Sequence, residues 1–308
     1  MIKRYKIENS KLVEVSLKED ILVLINPDEN EKQYVLGNFD IDSHNLNSSL
    51  DPEEPARLEI ENNGMSVIFK RPKNYSSKDH FLFKVSSMGL FLFSDKLIVV
   101  LSEDVNLFSG KQYNSVSGVK DVFLKIIYNS IYHFVEHLKV INMIAEEIET
   151  KINKSMENKY LLHMFTLEKS LVYYVSAISA NSFVLGKLKM HAAKLGFDEK
   201  NLEFIEDISI ENSQAKSQAD VYSQVFAGLM DARASVINNN MNLWLKNLTV
   251  ITIAIAVPNF FASMGGMSEI ENIMGVDNVR LAQGIFLAFS LLLALIVINV
   301  FRKLEKNK

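Results

Sequence analysis

The fold class this sequence predicts is an α+β membrane protein. It has an N-terminal α/β domain, then long helices, the last of them continuous with the first of two C-terminal membrane spans. Three observations predict it. The stretch between Lys246 and Glu269, Asn247 to Ser268, holds 22 residues and no charge. A second uncharged stretch of 21 residues, Leu281 to Phe301, lies between Arg280 and Arg302. An apolar helix needs about 20 residues to cross the hydrocarbon, so both qualify. Upstream, the texture changes at Gly118: short β-rich runs precede it, and unbroken helical periodicity follows.

Composition narrows the function classes. With 308 residues and 48% hydrophobic content, a substantial core remains after both spans are set aside. The net charge of −4 is mild, and no basic patch marks a nucleic-acid partner. There is no cysteine, hence no disulfide, thiolate metal site or thiol nucleophile. No G-x-x-x-x-G-K-[ST] and no Ser-His-Asp spacing occurs, which argues against ATP-driven transport and against an enzyme. The opening MIKRYKIENSKLVEV has no apolar run of the kind a cleavable signal carries, so the soluble part is expected in the cytoplasm.

Residues 1–117 read as the α/β domain on a mixed sheet. ILVLI (21–25), RLEIE (57–61), MSVIF (65–69), HFLFKV (80–85), GLFLF (89–93) and KLIVV (96–100) are strand candidates, and Asn63-Gly64 signals a hairpin. PDENEKQYVLG (27–37) reads as a short helix, and 43–55 as a polar loop or a second one. Residues 118–196 read as antiparallel helices. In the first, Val122, Ile126, Tyr128, Ile131, Val135, Leu138, Ile141, Ile144 and Ile148 recur mostly every three or four residues. The second is expected from about Asn158 to Lys194, broken by Gly196.

Asp198 or Asn201 opens a third helix, with no proline before Pro258. Its stalk part, 197–245, contains SQAKSQADVYSQ, polar nearly all round, which suits a helix packed against copies of itself. It runs into a first span over 246–268, an outer loop over 269–280, a second span over 281–301 and a basic tail over 302–308. Arg302, Lys303, Lys306 and Lys308 crowd the C-terminal end, whereas Glu269, Glu271 and Asp277 lie between the spans. Positive residues stay inside, so both termini are expected in the cytoplasm, with the acidic loop outside.

One face of the first span is polar or small: Asn242, Thr249, Thr252, Ala256, Asn259 and Ser263 are spaced 7, 3, 4, 3 and 4. Polar groups in hydrocarbon need partners or water. The stripe therefore means helix packing or a pore, and a pore requires a symmetric oligomer. Trp244, Val250, Ile251, Ile253, Val257 and Phe261 suit lipid or the second span. Elsewhere HFVEH (133–137) matches H-x-x-E-H, but with no third ligand in sight it reads as surface histidines on a charged helix.

ASMGGMSE (262–269), at the outer end of the first of two C-terminal spans, resembles the CorA family of divalent-cation channels, whose signature here is Gly-Met-Asn. LMDARASVINNNMNLWLKNLT (229–249) and FIED (204–207) are similar to that family's stalk, and the N-terminal half matches in architecture. The resemblance implies a homopentameric funnel in the bilayer of the cytoplasmic membrane that conducts divalent cations passively, with Mg²⁺ as first candidate and no resident cofactor. It implies that Asn242, Leu245, Leu248, Thr252, Ala256, Asn259 and Ser263 face the axis, and that Gly266, Met267 and Ser268 form the mouth. Leu245 and Leu248 would be the apolar constriction. The acids Glu269, Glu271 and Asp277 would gather cations at the entrance. Asp207 matches an acid of a regulatory metal site, with Asp51 as a substitute partner; a solvated helix charge is the plainer role for Asp207. The chain departs from the family at Ser268, Gly265 and Ala256. These departures keep two alternatives open: a zinc-transporting branch, possibly coupled to protons, and a non-conducting sensor or scaffold.

Overall fold

The structure is a computed structural model. It describes all residues except 62, 77–78, 155–157, 266–278 and 307–308; side chains at 152–154, 158, 261–262, 264–265, 279–283, 285–287 and 301–306 are also left undescribed. The chain divides into two compact units, Met1–Met230 and Asp231–Lys308.

The first unit is built on a seven-stranded mixed sheet. Its strands are β1 (Ile2–Glu8), β2 (Lys11–Glu14), β3 (Ile21–Ile25), β4 (Arg57–Glu61), β5 (Gly64–Pro72), β6 (Val85–Phe93) and β7 (Leu97–Leu101), in the order β2-β1-β3-β7-β6-β5-β4. Only β3 and β7 run parallel, with Val23 opposite Val99. Period-two alternation sorts the side chains. Ile21, Val23 and Ile25 enter the main core with Leu97, Val99 and Leu101. Leu22, Leu24, Ile98 and Val100 enter a smaller core on the other face. That smaller core is closed by α1 (Glu29–Asn38) and α2 (Ser43–Ser48), through Val35 and Leu46. Asp28 caps α1 in a full capping box with Glu31, as the Pro27-Asp28 opening predicts.

The larger face carries α3 (Val119–Lys154), α4 (Asn158–His191) and the first part of α5 (Glu199–Gly265). Of the periodic residues in α3, Val122, Ile126, Ile131, Leu138, Ile141 and Ile148 are buried, and Tyr128, Val135 and Ile144 pack against them. Gly196, at φ 72°, breaks the chain after α4, and Asp198 caps α5 by accepting from the Asn201 N–H at 2.8 Å. By length and composition α4 could cross a membrane, but 44% of its apolar window is buried in the chain, whereas none of the apolar window of α5 is. α4 is thus a core helix.

Three expectations need correction. HFLFKV (80–85) is not a strand: His80 and Phe81 sit at φ 48° and 68°, and β6 starts at Val85. Its apolar character serves burial of Phe83, stacked on Tyr75 at 4.2 Å, and the Phe83 N–H donates to Ser170 Oγ instead of to a neighbouring strand. Second, β1 and β2 form a hairpin that the strand candidates omit, turning through Asn9 and Ser10, both at positive φ. Asn-Ser is a weaker hairpin signal than Asn-Gly. Third, the polar segment of α5 is not polar all round. Asn212, Ala215, Ala219 and Phe226 are buried within one chain, on a stripe spaced 3, 4 and 7. The Asn63-Gly64 signal does mark a hairpin, with Glu61 opposite Gly64. A Cβ at Gly64 would lie 2.1 Å from the Leu92 carbonyl oxygen, so only glycine fits there.

Candidate ion pathway

The second unit holds the later part of α5 and α6 (Val279–Lys306). α5 continues through Pro258, whose ring leaves one backbone carbonyl without its usual donor. At about 100° per residue, the described side chains between Asn242 and Ser263 fall on three faces. The first is covered: Ala254 is buried, and Val250, Ile253, Val257 and Pro258 are half-buried. The second is exposed and apolar, with Trp244, Ile251 and Ile255. The third contains Asn242, Leu245, Leu248, Thr252, Ala256, Asn259 and Ser263, every one of them exposed. All seven of the expected axial residues therefore lie on a side of α5 that the chain itself leaves uncovered. Thr249, counted with the polar stripe, is exposed among them, and Phe260, also exposed, shares the direction of Asn242.

Hydrogen bonding fixes the character of that face. The Thr252 hydroxyl donates to the Leu248 carbonyl at 2.8 Å, and the Thr249 hydroxyl donates to the Leu245 carbonyl at 2.8 Å. Each hydroxyl has a single proton, so what it offers outward is lone pairs. An exposed acceptor suits the water shell of a hydrated cation and does not suit an anion. Leu245 and Leu248, 55% and 60% exposed, add an apolar stretch just before the threonines. Gly266, Met267, Ser268, Glu269, Glu271 and Asp277 lie outside the described residues.

Within one chain, neither of the two acids expected to regulate belongs to a group of three or more ligands among the described residues. Asp207 is exposed on α5, and its negative charge is felt by the Tyr128 hydroxyl. Asp51 is exposed in the turn after α2 and accepts from the Glu53 N–H at 2.9 Å. Among the described residues no group of three or more His, Asp or Glu is spaced to hold a metal. Beneath the Asp51 turn lies a cation that the sequence reading overlooked. Lys70 Nζ donates to the Pro52 carbonyl at 2.7 Å and to Ser87 Oγ at 3.0 Å. Burial lowers the Lys70 pKa, and Asp51, Glu53 and Glu54 oppose that. Arg57 pairs with Glu54 and, at 3.0 Å, with Glu59. The acids of this turn thus answer to fixed cations of the same chain.

Of the H-x-x-E-H histidines, expected on the surface, His133 is half-buried and His137 buried. His137 is buried, with Nδ1 2.6 Å from the Tyr174 hydroxyl, and its ring lies 4.2 Å from that of His133. Burial lowers both pKa values, to about 4 for His133 and about 3 for His137, helped at His137 by His133 and at both by Arg71. Both are neutral imidazoles at pH 7. The usable signal was the position of His137 between Phe134 and Ile141 on the apolar stripe of α3.

A mixed sheet backed by long helices, followed by a helix with an uncovered apolar window, defines the class: an α/β domain joined to a helix long and apolar enough to cross a membrane. The family model described as "CorA-like Mg2+ transporter protein" matches residues 20–303, and the chain belongs to that family. The "Cobalt/magnesium transport protein CorA" of Methanocaldococcus jannaschii is 25% identical over 308 residues, covering 94% of this chain and 92% of that protein. The complete structure of the CorA magnesium transporter from that organism superposes with a TM-score of 0.77 at 20% identity, covering 98% and 96% of the two chains. The full-length CmaX protein gives a TM-score of 0.70 at 11% identity, covering 99% and 97%. The ZntB cytoplasmic domain from Vibrio parahaemolyticus gives 0.61 at 9%, covering 77% and 98%. At these identities the solved structures speak for the fold.

Proposed function

We propose that this protein conducts divalent cations passively across the cytoplasmic membrane, Mg²⁺ first among them, through a pore that α5 lines in a homopentamer with both termini in the cytoplasm. The observation that carries the reading is the three-way division of α5. A helix serving only as an anchor has use for a covered face and an apolar face. It has no use for a third face that sets Asn242, Thr252, Asn259 and Ser263 in line and uncovered. Copies of that face around an axis supply acceptor oxygens to a hydrated ion, and Mg²⁺ gives up its waters reluctantly. Magnesium ranks first because the M. jannaschii relative, matched along nearly its whole length, is named for cobalt and magnesium transport.

Ser268 and Gly265 favour a second reading, zinc transport, because a serine lacks the amide carbonyl that asparagine would place at the mouth. Uptake into liposomes holding the purified protein separates the two. Mg²⁺, Co²⁺, Ni²⁺ and Zn²⁺ are compared with and without a pH gradient. Mg²⁺ flux that ignores the gradient is expected. Zn²⁺ flux that follows the gradient replaces the first reading by the second. No flux of any ion through an intact pentamer removes both and leaves a sensor or scaffold.

A further inference from the structure

A cavity of about 660 Å³ opens between the loop after β7 and α3, wholly within the first unit. That volume is in the range that holds small-molecule ligands. Its walls include Arg71, Lys111, Tyr128, Tyr132, His133 and Glu136.

Arg71 is only 4% exposed, and one of its guanidinium nitrogens pairs with Glu103 at 3.0 Å. Among the described residues, Asn212 Oδ1 and Ser290 Oγ are the only buried side-chain polar atoms without a partner. The other Arg71 donors are therefore either bonded or open to the cavity they line. The ring nitrogens of His133 hydrogen-bond to no described residue, and as a neutral imidazole it offers one donor and one acceptor. Lys111 stands exposed at the rim, with no ion pair among the described residues. Along α3, Tyr128 and Tyr132 present near-parallel rings, 6.4 Å apart and inclined by 20°. The facing wall is pinned in place. Asn129 accepts from the Gln112 amide and donates to the Leu107 carbonyl at 3.4 Å and to the Tyr113 hydroxyl at 3.3 Å.

These groups select a ligand class. Arg71 and Lys111 call for an anion, while Glu103 already pairs with Arg71 and the exposed Glu136 adds a negative charge to the lining. Two cations set against these two acids leave room for a single anionic group beside Arg71 and Lys111 and disfavour a polyphosphate. The tyrosine rings call for a flat unsaturated ring, by stacking and edge contacts. We propose that this cavity binds a small molecule made of a flat ring and one phosphate or carboxylate, with the anion toward Arg71 and Lys111 and the ring against Tyr132.

The test is calorimetric titration of the full-length protein in detergent micelles, without divalent ions, using AMP, nicotinate, adenosine and inorganic phosphate. AMP tests the phosphate form and nicotinate the carboxylate form; adenosine and inorganic phosphate each supply half of the first. The expected result is saturable binding of AMP or nicotinate at one per chain, at least tenfold tighter than adenosine or phosphate. Lys111→Met and Tyr132→Ala each weaken it at least fivefold, while Lys189→Met, outside the cavity, leaves it unchanged. Lys111 and Tyr132 are exposed, so neither variant threatens the fold. Absence of saturable binding by both AMP and nicotinate overturns the proposal, and so does binding that both cavity variants leave intact.

Discussion

The two units of this chain are stabilised in opposite ways. From Met1 to Met230 a continuous core joins sheet and helices, with residues such as Phe69, Phe83, Phe123, Phe134 and Tyr174 fully buried. From Asp231 onward, Ala254 is the only hydrophobic residue buried among the described side chains, while Trp244 is 79% exposed and Ile255 65% exposed. The same residue types are inside in one unit and outside in the other. The first unit finds its apolar surroundings within its own chain. The second leaves its apolar surface uncovered by the chain, as a helix made for an apolar surrounding would. Stability is therefore to be sought in the first unit and, under the proposed function, transport in the second, and each variant below is aimed at one side of that division.

The largest effect is expected from Asn259→Leu. An apolar ring at mid-span should reduce divalent-cation flux into liposomes at least tenfold, with the unfolding midpoint unchanged. Flux at the parent level would remove Asn259 from the axis. Phe134→Ala reverses the pattern. Its ring meets Tyr174 edge-on at 4.9 Å in the core, and its loss should cost about 3–5 kcal/mol in chemical unfolding. By contrast, Trp244→Ala, on the exposed apolar face, should change that midpoint little; equal losses from the two would erase the contrast between the units.

Acid should act on the first unit. The unfolded chain takes up histidine protons near pH 6.5, whereas folded His133 and His137 resist until about pH 4 and pH 3. Between these limits the unfolded state binds more protons, so stability is complete above about pH 6.5 and falls as pH falls toward 4. The slope is at most about 1.4 kcal/mol per pH unit for each histidine. The double variant H133N/H137N should flatten this part of the melting profile, and an undiminished slope would clear both histidines. A smaller effect is expected from Ser268→Asn, a shift of a few fold in relative uptake toward Mg²⁺; an unchanged ion preference would mean that the mouth does not set it. Smallest is Asp28→Ala, which removes the α1 cap and should cost about 1 kcal/mol.

What was legible in the sequence follows from which physical signals are local. Short runs rich in β-branched and aromatic residues gave β3, β4 and β7, and helical spacing with its breaking and capping residues gave the three long helices close to their ends, because all of these signals are local in the chain. The run around Phe83 misled because apolar density alone does not separate a strand from a turn whose aromatic ring fills the core. His137 and Lys70 were missed for a related reason. Each is a polar residue in an apolar position, and its partners lie 37 residues away at Tyr174 and 17 or 18 away at Ser87 and Pro52, separations that no periodicity encodes. On α5, spacing alone could group the polar residues but could not say whether the chain covers them. That required the structure, which leaves all seven uncovered.

Asn181, buried on α4, accepts from the Lys70 N–H at 2.9 Å and donates to the Lys70 carbonyl at 2.8 Å. Lys70 lies beyond the last residue of β5 that β4 pairs, Ile68, so the asparagine amide takes the place of one more residue of neighbouring strand. A helix tied to a strand in this manner cannot creep along it. A displacement of one residue would strip two buried backbone groups of their partners together, at about 1–3 kcal/mol each. Any displacement within the first unit must therefore carry α4 and the sheet as one piece.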